Sequence, residues 1–179
     1  MTTVIIILLL SITTMVVLLM AARGRGAAIK RVDELPQHTE PLDVQAFRNL
    51  MSPRDERFLR ENLSGREYRR VQRLRLRAGI EYARRATRNA AVLLRLGEAA
   101  RNNPDPEVSR AAQELAANAV MLRVVGLAVT AELASRMLVP GSGFSVSGLI
   151  ARYEHATERV ALLVRLQAPA AVSRISAAL

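Results

Sequence analysis

From "SGRE" at residues 64–67 to Asn102 the chain meets no proline, and from Pro106 to Val139 it meets none again. Proline fixes φ and removes a backbone donor, so its absence leaves both runs open to unbroken helix. They span about 38 and 34 residues, each on the order of 50 to 57 Å at the helical rise. Only "NNPDPE" at 102–107 separates them, and so short a connection makes the two helices antiparallel neighbours. No stretch shows sustained strand alternation, and no internal repeat is present. The expected fold is therefore all-α, built on one long helical hairpin.

Helix starts are marked by capping residues. In "SPRD" at 52–55, Ser52 is placed as N-cap, Pro53 as first helical residue and Asp55 as the acid of a capping box. In "SGRE", Ser64 caps and Glu67 reaches back to it. Asp105 caps the second long helix and Pro106 opens it. Ser145 or Ser147 caps a last helix ending near Gln167, before Pro169. These signals predict helices over about 53–63, 65–102, 106–139 and 147–167, with a short one possible over Leu42–Leu50. Residues 42–167 then form a bundle of three main helices, with 168–179 as a tail. In the last helix Leu149, Ile150, Tyr153, Val160, Leu163 and Val164 share one face, the third wall of the bundle.

Charge gives a register for the hairpin. Setting Asn102 beside Pro106 brings Glu98 opposite Arg110, Arg95 near Glu114, Glu81 near Arg123, and Arg75 or Arg77 near Glu132. Arg123 alone sits on the apolar side of its helix. A buried charge without a partner is costly, so Arg123 and Glu81 are read as a structural ion pair.

The N-terminus suggests a compartment. Residues 2–22, "TTVIIILLLSITTMVVLLMAA", carry no charge, and about 21 helical residues rise about 31 Å, enough for a hydrocarbon core of about 30 Å. A cleaved signal peptide would want a basic n-region and a shorter apolar run. Residues 1–22 are read as a single transmembrane anchor and 23–41 as a juxtamembrane linker rich in Gly, Pro and charge. Arg23, Arg25, Lys30 and Arg31 follow the apolar run at once, so the positive-inside rule puts the N-terminus outside and the helical domain in the cytoplasm. A second span over 115–139 is not expected, because Arg123, Glu132 and Arg136 interrupt it and a central Arg costs about 2.5 to 3.5 kcal/mol on the insertion scale.

The formal net charge of +10 points to acidic partners. Most of it is arginine: residues 65–101 hold eleven Arg against three Glu, and the chain has one lysine. At 100° per residue, Arg66, Arg70, Arg73, Arg77, Arg84, Arg88 and Arg95 fall within a sector of about 60°. An arginine fork pairs with phosphate through two hydrogen bonds and keeps its charge at any physiological pH. The seven are the candidate ridge for docking on anionic membrane lipid or an acidic partner.

Catalytic chemistry is missing from the pattern. There is no Cys, and neither His38 nor His155 has a companion at metal-ligand spacing. Glu154 and Glu158 lie one turn apart, but the order Glu154-His155 is not the E-x-x-H of di-iron bundles. "PGSG" at 140–143 lacks the lysine and spacing of a phosphate loop, and "GSGFS" is no nucleophile elbow. No enzyme activity, cofactor, metal or small-molecule substrate is expected. The reading is a membrane-anchored interaction or scaffold module. The alternative is a membrane-tethered nucleic-acid-binding protein, weakened because Tyr68 and Tyr82 fall on the packing face rather than among the arginines. The second long helix is apolar over more than half its circumference, so a homo-oligomer or a partner helix is expected to cover it.

Overall fold

The computed structural model describes residues 35–138 and 147–167. Among the described residues there are six helices and no strand: α1 (Leu35–His38), α2 (Val44–Leu50), α3 (Pro53–Asn62), α4 (Gly65–Ala100), α5 (Pro106–Leu138) and α6 (Ser147–Gln167). The N-terminal anchor, the linker as far as residue 34, the "PGSG" stretch and the tail lie outside the described residues.

Local capping explains where the helices begin. The Ser52 hydroxyl accepts from the Asp55 amide, with Pro53 opening α3. Ser64 and Glu67 form a reciprocal capping box: the Ser64 Oγ accepts from the Glu67 amide at 3.4 Å, and the Glu67 carboxylate accepts from the Ser64 amide at 3.1 Å. Asp105 accepts from the Glu107 amide at the start of α5. Each pairing satisfies backbone donors that the first helical turn leaves open.

Helices α4 and α5 pack antiparallel through small residues. A Cβ added to Gly97 would sit 2.7 Å from the Ala112 carbonyl and 2.9 Å from the Ala116 amide. One added to Gly126 would overlap Thr87 Oγ1, and one at Gly79 would lie 3.2 Å from Leu133 Cδ1. These close approaches set the register. Alanine lines the seam between them: Ala83, Ala86, Ala90, Ala112 and Ala119 are at most 1 % exposed. Helix α6 packs mainly on α5, burying Leu149, Ile150, Tyr153, Val160, Leu163 and Val164. Arg159 of α6 is ion-paired with Glu114 of α5, and Arg48 of α2 with Glu154 of α6 at 2.8 Å.

Residues 35–41, expected to belong to an open linker, instead lie against the hairpin. Leu35 is wholly buried, and Leu42 and Thr39 nearly so. Phe47 of α2 stacks on Tyr82 of α4, with ring centroids 5.2 Å apart. Short apolar contacts thus hold this strap in place before the long helices begin.

Helix α5 corrects a second expectation. Over Pro106–Met137 it is long and apolar enough to cross a membrane by length and composition, with a mean hydropathy of 1.5 in its best window. Ala, Val and Leu outweigh its few charges in that average. The helix is covered on one side by α4 and α6, yet Val120, Met121 and Val124 remain 42 to 45 % exposed.

Candidate anion-docking face

No residue of α4 before Leu76 is buried. Gly79 already packs near the far end of α5, at Leu133, so the first three turns of α4 form an arm that reaches past most of the hairpin. The short α3 folds back on its base. There the Tyr68 hydroxyl lies 3.4 Å from both Glu56 and Arg60, and the Arg60 guanidinium stands over the Tyr68 ring.

The arm carries Arg66, Arg69, Arg70, Arg73, Arg75 and Arg77 against one acid, Glu67. Glu67 serves the capping box, and its carboxyl is held below the ordinary range by the Ser64 hydroxyl and amide. Arg75 is also engaged: its guanidinium donates to the Leu50 carbonyl at 2.8 and 3.1 Å and to the Ser52 carbonyl at 3.2 Å. It therefore closes the C-terminal end of α2, where carbonyls have no helical partner.

The other five differ. Arg66, Arg69, Arg70, Arg73 and Arg77 are exposed. With Leu74 they line one open depression of about 510 Å³. Among the described residues none of the five forms an ion pair or hydrogen bond. Five like charges on three turns repel one another, and an anion placed among them relieves that repulsion.

The remaining ridge residues are dispersed. Arg84 is exposed. Arg88 is clamped: its Nε and Nη2 donate to the two carboxylate oxygens of Glu40 at 2.7 and 2.9 Å, and Nη2 reaches Glu81 at 3.1 Å. Arg85 approaches the same two acids at 3.5 to 3.6 Å. Hydrogen bonding from Arg88, then the charges of Arg88 and Arg85, hold the Glu40 carboxyl below its ordinary range, and Glu81 likewise. Arg95 is half-buried.

Arg123 is 5 % exposed. The sequence register set it near Glu81, which in the structure is engaged by Arg85 and Arg88. Gly126 packs on Ala83 and Thr87. Arg123, nearly a turn earlier, therefore lies level with residues further along α4 than Glu81, and Arg95 is the α4 charge that acts on it. Glu114 and Glu132, set near Arg95 and Arg75 or Arg77, pair with Arg159 and Arg136.

The polar centre of the fold is Asn89, 1 % exposed. Its Oδ1 accepts from the Glu40 amide at 2.9 Å, and its Nδ2 donates to the Glu40 carbonyl at 2.7 Å and to the Tyr153 hydroxyl at 2.8 Å. One amide side chain thereby joins the strap, α4 and α6. Among the described residues no group of three or more His, Cys, Asp or Glu is placed to hold a metal.

Sequence reasoning missed Arg69, Glu40 and Asn89. Arg69 falls at the rim of the angular sector. Glu40 and Asn89 act through a contact 49 residues apart in the chain. No family model matches the chain, and no curated protein and no solved structure matches it.

Proposed function

We propose that the chain is a non-catalytic, membrane-associated helical interaction module whose arginine arm docks on anionic lipid or an acidic partner. The observation that carries this reading is the group of five exposed arginines, Arg66, Arg69, Arg70, Arg73 and Arg77, with no acid to offset them. The uncharged run over residues 2–22 and the hydropathy of α5 support a place at the membrane. With residues 1–22 as a single-pass anchor, the basic flank after them puts the N-terminus outside and the bundle on the cytoplasmic side. Self-association or a partner helix at Val120, Met121 and Val124 belongs to the same reading.

The magnitudes suffice. A basic residue near an anionic leaflet contributes about 1 kcal/mol, falling off within a Debye length. If half of the five engage, docking gains about 2 to 3 kcal/mol, a shift on the order of fifty-fold in the docked population.

The chain has no Cys, so Glu61→Cys, at an exposed site near the arm, takes a donor dye uniquely. The full chain is reconstituted in phosphatidylcholine vesicles, with or without phosphatidylserine, carrying an acceptor on the headgroups. Energy transfer should rise with phosphatidylserine and fall with salt. Changing Arg66, Arg70, Arg73 and Arg77 together to Gln should abolish the rise. Transfer that ignores both lipid charge and these substitutions refutes the reading.

A further inference from the structure

The arm holds one residue that an anion does not explain. Leu74 is 57 % exposed, while Leu76, two positions on, is 2 % exposed and inside the core. Leu74 lies at the edge of the arginine sector and lines the same depression as Arg66, Arg69, Arg70, Arg73 and Arg77. A free phosphate or an acidic peptide would satisfy the guanidinium groups and leave this leucine in water. We propose that the partner of the arm is specifically a lipid leaflet, with Leu74 entering the boundary between headgroups and acyl chains while the arginines hold the lipid phosphates.

The chemistry of each group fits that placement. Arginine keeps its methylene stem along apolar surroundings and carries its charged end back to the polar layer. A helix lying in the interface sinks its apolar edge about 5 to 10 Å, which brings a leucine into hydrocarbon and leaves guanidinium groups at phosphate level. Arginine forks match phosphate oxygens bidentately, so one arm can bridge several headgroups. Aromatic stacking, which a nucleic acid would use, is missing from this surface: Tyr68 faces Glu56 and Arg60, and Tyr82 is stacked on Phe47.

This inference rests on the docking reading above, and its test separates the two. The chain has no Trp, so L74W is a unique emitter at a site exposed enough to accept it. In the full chain, in vesicles containing phosphatidylserine, L74W emission should shift to shorter wavelength and be quenched by lipids brominated on their acyl chains. In phosphatidylcholine alone it should remain water-like and unquenched. The L74N variant, carrying the Glu61→Cys donor, should lower the docked population about tenfold at equal phosphatidylserine, as expected for withdrawing a partly buried leucine. If headgroup transfer reports docking while L74W stays water-like, or if L74N docks as well as the parent, insertion is overturned and the docking reading stands. If neither signal responds to phosphatidylserine, both fall. A blue shift of L74W produced in phosphatidylcholine vesicles by inorganic phosphate or by duplex DNA assigns the surface to a soluble anion and overturns the inference.

Discussion

The two ends of α4 are one helix built for different surroundings. From Leu76 to Ala100 it buries eleven residues, four of them alanine and two glycine, against α5 and α6. From Gly65 to Arg75 it buries none. The packed part tolerates arginine only where a neighbour receives it, as Glu40 and Glu81 receive Arg88. The arm accepts arginine wherever the helix turns outward. Charge density alone does not distinguish the two, because both are rich in arginine. What separates them is whether an acid from another part of the chain lies within reach.

The sharpest way to test this contrast uses one glycine from each end. Gly97→Ala places a methyl group 2.7 to 3.0 Å from Ala112 and Ala116, mostly against backbone that cannot rotate away. Overpacking of this kind costs about 1 to 3 kcal/mol, enough to exceed the roughly 1 kcal/mol gained from alanine's helix propensity. Gly65→Ala meets only Arg69 Nη1 at 3.6 Å, so it should stabilise by about 0.4 to 1 kcal/mol. Chemical unfolding followed by circular dichroism should give opposite signs, and equal signs would break the distinction.

Asn89→Ala comes next. It leaves the Glu40 amide and carbonyl and the Tyr153 hydroxyl without their amide partner, at a cost of about 2 to 3 kcal/mol for buried polar groups. Asn62 near the arm is exposed and donates only to the Phe58 carbonyl, so Asn62→Ala should change stability by less than about 0.5 kcal/mol. Comparable losses at the two sites would show that the strap is not held as described.

A smaller effect depends on pH. The carboxyls of Glu40 and Glu81 are held below the ordinary value of 4.5, first by hydrogen bonds from Arg88. A depressed carboxyl stabilises the fold above its unfolded pKa, and that contribution is lost as pH falls through the folded value. Unfolding midpoints measured from about pH 6 down to pH 3 should therefore decline below about pH 4.5. Arg88→Gln should lower the plateau slightly and flatten this decline. Both acids are about half exposed, so solvent screening keeps the effect small.

The smallest expected change sharpens the contrast from the other side. Replacing Arg66, Arg70, Arg73 and Arg77 with Gln should leave the unfolding midpoint within about 0.5 kcal/mol per site and the acid profile unaltered. A large loss of stability would mean that these arginines serve the fold rather than a partner.

Helix starts were legible because caps are local: Ser52 with Pro53, Ser64 with Glu67 and Asp105 with Pro106 declare themselves within four residues. The outward sector of α4 was legible too, since helical geometry fixes it. Which arginines in that sector are engaged was not. Arg88 is claimed by Glu40, an acid in a stretch, "ELPQHTEP", that has no period from which packing could be read. Asn89 sits in an arginine- and alanine-rich run with nothing nearby to announce three distant hydrogen bonds. The hairpin register inferred from the loop missed because close approach at Gly79, Gly97 and Gly126 overrides weak charge pairing. The shape of α5 was half visible: its exposed side is as apolar as its buried one, so hydropathy could not say which side faces α4.

The seat of the strap on Asn89 has a mechanical consequence. Residues before Leu35 are joined to the bundle at the middle of α4 rather than at either tip of the hairpin. A pull from that side enters the fold across three hydrogen bonds and the buried Leu35, roughly in shear along α4. The arm then behaves as a lever about that fulcrum. Arg66 to Arg77 lie some 12 to 23 residues from Asn89, a span of about 18 to 35 Å at the helical rise. A modest rocking of the hairpin about its attachment would sweep the arginines through a distance comparable with the thickness of a headgroup layer.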